Sequence, residues 1–171
     1  MSLRPAFPQQ VNEVVARTVA GGVLALAIAA IAAGAPWLAI VLAVGFLLRV
    51  GWGSRLSPLS LLASRVIVPR LGLAPRPVAG PPKRFAQLIG LVFSSAAIVL
   101  FYAVSGADAA GYVVLGALAM AATLESVLGI CLGCMAFGGL MRLGVIAPEV
   151  CERCNDLWAD RARPAPFASR P

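Results

Sequence analysis

Three long stretches of this chain carry at most one charge, and few folds can absorb them. Thr18 to Leu48 has none, Phe85 to Val104 has none, and Ala109 to Ile130 has only Glu125. A bilayer core is about 30 Å thick, so a helix needs roughly 20 apolar residues to cross it. The second and third stretches each meet that length. The first is interrupted near its middle by Gly34-Ala35-Pro36, a turn signal. It is too short for two full crossings. It becomes long enough if Arg17 and Arg49 snorkel outward, with helices over about 14–33 and 36–52. A re-entrant hairpin is the alternative, and it leaves both ends on the same side.

Composition agrees. Hydrophobic residues make up 60% of the 171 and charged residues 12%. A water-soluble domain carries roughly 25% charged residues. Disorder, a secreted disulfide scaffold and an ordinary cytosolic enzyme are excluded. The absence of histidine excludes every imidazole-based catalytic or metal scheme. The expected fold is all-α and integral to a membrane. It has about four transmembrane helices in two hairpins, over 14–33, 36–52, 85–104 and 109–130, within a single domain covering 1–154. Asp108 is the expected N-cap of the fourth span. No cleaved signal peptide is expected, because the first apolar stretch starts late and runs long.

Between spans two and three, Leu59 to Leu71 mixes apolar residues with Arg65 and Arg70, as suits a short helix lying in the interface. Leu73 to Pro82, with four prolines, reads as a stiff extended linker. Cys131 to Met141 carries Gly133, Gly138 and Gly139, too many glycines for a helix assignment. Residues 155–171 read as a disordered tail. Helices in lipid associate through small residues, and Gly21, Ala25, Ala29 and Ala33 form such a ladder on the first span. Gly90 with Ser94, and Gly129 with Gly133, are lesser examples.

Orientation follows from the 14 Lys and Arg. They precede span one (Arg4, Arg17), fill the middle loop (Arg49 to Arg84) or follow span four (Arg142 onward). The turns near Gly34 and Asp108 have none. The positive-inside rule places both termini and the long middle loop of this multi-pass chain in the cytoplasm. The net charge of +7 then serves lipid head groups. No nucleic-acid partner is implied, because the basic residues form no dense run interleaved with aromatics.

The chemistry lies in the cysteines. All four fall in two C-x-x-C pairs, Cys131 with Cys134 and Cys151 with Cys154. Thiols at a cytoplasmic face are kept reduced, which favours redox or metal roles over structural disulfides. As redox dithiols, the pairs would exchange disulfides or relay sulfur. As four thiolates, they have the spacing of a closed zinc site, which would staple a non-enzymatic scaffold. A transient Cu(I) site is a third reading. Buried cysteines acting as small hydrophobes fit two matched pairs poorly. Glu125, an ionisable residue inside a span, is the other candidate. Pairing with an arginine such as Arg49 as a structural anchor is preferred over a proton relay. A transporter finds little support, and homo-oligomerisation stays open.

One family shares these motifs. Pro81 to Ala86 (PPKRFA) opens span three, Cys131 to Cys134 (CLGC) closes span four, and Leu140 to Gly144 (LMRLG) follows, then the second C-x-x-C. The chain resembles the bacterial membrane family catalogued as domain of unknown function 4395, over about Arg4 to Cys154. The resemblance implies no established activity. It leans toward thiol or sulfur chemistry with a soluble thioredoxin-like or sulfurtransferase-like partner.

Overall fold

The computed structural model describes residues 10–53, 56–72 and 74–146. Cys151, Cys154 and the expected tail lie outside them. The elements in order are β1 (Gln10–Asn12), α1 (Glu13–Ala32), α2 (Trp37–Trp52), α3 (58–70), β2 (Pro77–Ala79), α4 (Gly80–Tyr102), α5 (Asp108–Leu128) and α6 (Leu132–Arg142). The last turn of α5, Leu124–Leu128, and the middle of α3, Ala63–Ile67, are π-helical.

Helices α1, α4 and α5 are long and apolar enough to cross a membrane, which is compatible with a membrane protein. Helix α2 is shorter, at 16 residues, or about 24 Å at 1.5 Å per residue. The four run alternately up and down. Arg17 and Lys83, near the starts of α1 and α4, both reach the end of α5. At the opposite end, Tyr112 stacks edge-on against Phe101, 4.9 Å between centroids, and lies beside Gly34. The basic residues described therefore gather at one end of the bundle, and the turns at the other end have none.

The core is built from small and branched residues: Val23, Ala27 and Ala30 of α1, Ala39, Leu42 and Phe46 of α2, Ala97 of α4, and Leu115 and Ala122 of α5. The expected ladder on the first span faces the wrong way. Ala25, Ala29 and Ala33 are exposed, and α1 buries Val19, Ala20, Val23, Ala27 and Ala30 instead. A stripe at steps of three and four stays on one face of a 3.6-residue helix, whereas strict fourth-residue spacing drifts off it. The lesser pair is the real contact. Gly90, Ser94 and Ala97 line the buried face of α4, and the Phe46 ring sits where a side chain at residue 90 would go. With α1 against α5, this is one of the two most extensive helix pairs in the fold.

Four local expectations need correction. The fold is not purely helical, because β1 and β2 pair antiparallel, with Val11 opposite Val78. Asn12 makes that junction: its side chain accepts from the amides of Val14 and Arg76, capping α1 and holding the end of the middle loop. The linker does not extend to Pro82. Gly80, Pro81 and Pro82 form the first turn of α4, where proline lacks only an amide that would have no helical partner anyway. Asp108 is the first residue of α5 and makes no side-chain cap; Ala107 is the N-cap. Finally, 132–142 is a helix despite its glycines. The expected helix near 59–71 is present, packed by Leu59 against Gly22 of α1.

Candidate functional site

The first cysteine pair does not close the fourth span; it opens a separate helix. Gly129 adopts a left-handed conformation, φ 71°, which glycine tolerates and which ends α5. Two residues later Cys131 is the N-cap of α6, and its sulfur accepts the amide of Cys134 at 3.3 Å. Cys131 and Cys134 are joined as a disulfide with Cα atoms 5.2 Å apart, inside the usual range for the bond. The first turn of a helix leaves amide hydrogens unpaired and carries partial positive charge. Both features stabilise a thiolate at this position.

Burial separates the two sulfurs. Cys131 is buried at 9% exposure and Cys134 is half-buried. Leu132 and Met135 beside them are exposed apolar residues. The helix is held by Gly133, which lies flat against the backbone of Ala86 in α4; a Cβ there would come within 2.6 Å of the Ala86 Cα. One turn further on, Phe137 packs on Phe85, 5.6 Å between ring centroids, and with Ala79 forms a second small core.

Beside this helix lies a charge cluster. Glu125, in the π-helical turn of α5, accepts a 2.6 Å bond from Lys83 Nζ, with both side chains largely buried. The expected partner, Arg49, makes no ion pair at bonding distance among the described residues. It feels the Glu125 charge and lays its guanidinium over the Phe46 ring, 4.5 Å from the centroid. Nor does Arg49 snorkel, because it is only 4% exposed. Arg17 also turns inward, donating to the carbonyls of Ser126 and Val127 at 3.2 and 2.8 Å. Arg84 donates to Val50 near the end of α2. These arginines cap helix C-termini, where carbonyls lack partners and the dipole favours a cation.

A family model described as a domain of unknown function (DUF4395) matches residues 11–142. The chain belongs to this family. The match runs from the second residue of β1 to the end of α6, includes Cys131 and Cys134, and stops before Cys151. No curated protein and no solved structure matches this DUF4395 chain significantly. Among its described residues no three or more Cys, Asp or Glu converge as metal ligands.

Sequence reading found the dithiol and Glu125 but missed Lys83, which it counted as a flank outside the span. The available signal was Pro81-Pro82. Prolines at the first helical positions start α4 ahead of Lys83 and draw that lysine into the bundle.

Proposed function

We propose that this DUF4395 protein is a four-span membrane protein of the inner membrane, built as two helical hairpins with both termini cytoplasmic. Its Cys131–Cys134 pair exchanges disulfides with a soluble thioredoxin-like or sulfurtransferase-like protein. Charge segregation to one end of the bundle supports the orientation, since the basic end faces the cytoplasm in most multi-pass proteins. One observation carries the chemistry: the dithiol sits at the N-terminus of α6 with the Cys131 sulfur on an amide.

The exchange is directional in its atoms. A partner thiolate attacks the more exposed Cys134 sulfur, forming a partner–Cys134 disulfide, and the Cys131–Cys134 bond breaks. Cys131 leaves as a thiolate, held by the helix N-terminus, and a stabilised thiolate leaves faster. A second partner thiol then attacks its own sulfur in the mixed disulfide and releases Cys134. The partner ends oxidised by two electrons and the Cys131–Cys134 pair reduced by two. Cys151 and Cys154 follow α6 closely in sequence and would serve as a second dithiol that passes electrons to or from the first.

Trapping tests this. The full chain in detergent is mixed with a thioredoxin that lacks its resolving cysteine. Activated Cys131→Ser protein should form a stable mixed disulfide through Cys134, and wild-type protein should resolve it with Cys131. One tightly held zinc per chain, with all four thiols protected from alkylation, would instead establish the structural metal site and end the exchange reading.

A further inference from the structure

A cavity of about 410 Å³ lies between α1, α2, α4 and α5 and is bordered by the first turn of α6. Its walls are apolar, with Val19, Val23, Ile89 and Leu118 among them. Phe93 belongs both to the wall and to the outer surface, where it is 37% exposed. Two polar groups break the apolar lining. Arg49 borders the cavity, and its Nε and Nη1 are buried without a hydrogen-bond partner among the described residues. Gln87 borders it too, with its amide oxygen buried and equally unmatched.

The charges do not balance. Lys83 and Glu125 neutralise one another at bonding distance. Arg49, attracted to the same carboxylate from further away, leaves the buried trio with one excess positive charge. A buried guanidinium without an acceptor costs several kcal/mol, so such groups are ordinarily paired. The unmatched donors call for one anionic acceptor. A small soluble anion would satisfy Arg49 and leave the apolar volume empty. A cavity near the lower end of the roughly 300–1,000 Å³ range of ligand sites suits a head group and the first part of one hydrocarbon chain.

We infer that this cavity binds a single-chain amphiphile with an anionic head, of the fatty-acid class. The carboxylate accepts a charged hydrogen bond from the Arg49 guanidinium, and the Gln87 amide, turned to present its NH₂, donates to it as well. The chain lies along Ile89 and leaves past Phe93 toward lipid. The inference does not depend on the cysteine chemistry.

The probe is cis-parinaric acid, a fluorescent polyene fatty acid, titrated into full-length protein in nanodiscs of zwitterionic lipid. Energy transfer from tryptophan (Trp52 lies one turn from Arg49) reports occupancy above protein-free discs. Wild-type protein should show a saturable component displaced by palmitate. Arg49→Gln should weaken it at least about tenfold, the loss of a charged hydrogen-bonded partner, and Arg49→Lys should retain part of it. Ala121→Leu, which fills the cavity without touching Arg49, should abolish it. Wild-type-like binding in both Arg49→Gln and Ala121→Leu would overturn the proposal. So would equal binding of the methyl ester, or displacement by inorganic phosphate or phosphatidylglycerol but not by palmitate.

Discussion

Glu125→Gln should destabilise the bundle by about 3 kcal/mol or more, the usual cost of removing one partner from a buried ion pair. The carboxylate serves two cations. Lys83 donates to it at 2.6 Å, and Arg49 feels its charge from further off. Lys83 is also in the first turn of α4, where the helix dipole disfavours a cation. Without Glu125 both cations stay buried at the basic end with no counter-charge. Lys83→Met combined with Glu125→Gln should recover much of the loss, because a neutral pair has little to desolvate. Reversible unfolding in mixed detergent gives the four corners of that cycle. A coupling of roughly 2 kcal/mol is expected for groups in direct contact. Equal stabilities of the single and double variants would show the pair to be an exposed, screened contact.

Gly133→Val should detach α6 from α4. Its Cβ would lie 2.6 Å from the Cα and Cβ of Ala86, and a helix backbone cannot yield there. Overpacking of this kind ordinarily costs about 1–3 kcal/mol. Here the strain is relieved by lifting a short helix, which also gives up the Phe85–Phe137 contact. Alkylation of the reduced dithiol should accelerate as Cys131 loses its cover, and proteolysis should cut near α6. Gly138→Ala is the control. No described residue lies within 4 Å of a Cβ added there, and alanine favours the helix by up to about 1 kcal/mol over glycine. If both variants alkylate at the wild-type rate, the contact with α4 is not what holds the dithiol in place.

These two residues mark where the sequence was legible and where it was not. The long helices were readable because charge is costly in hydrocarbon, so gaps between charges delimit apolar helices. The four helix positions agree with that reading to within a few residues, apart from the early start of α4. The Cys131–Cys134 pair was legible from spacing alone. Its setting was not, because three glycines argued against a helix. Gly133 is there to let two backbones touch, whereas Gly138 and Gly139 meet nothing. The propensity argument weighs all three alike and cannot separate them.

The partner of Glu125 was missed for a related reason. Lys83 fell outside the span because charges were taken as its limits and Pro81-Pro82 as the end of an extended linker, whereas that proline pair begins the helix. The small-residue ladder failed because alanine is abundant in this chain and regular spacing alone does not say which face is buried. Gly90 was informative in hindsight. It faces Phe46, a buried aromatic of α2, and glycine opposite an aromatic ring is a packing solution that sequence spacing cannot display.

The central claim is that Cys131 and Cys134 form a reversible dithiol on the first turn of α6. A redox titration decides it most directly. A Cys151→Ser, Cys154→Ser protein is equilibrated in glutathione buffers and the remaining thiols are counted by alkylation and mass. One reversible two-electron transition is expected, with the dithiol-to-disulfide ratio changing tenfold for about every 30 mV. Thiols that stay reduced and unreactive across the whole range, or that come off the column with bound zinc, would contradict it.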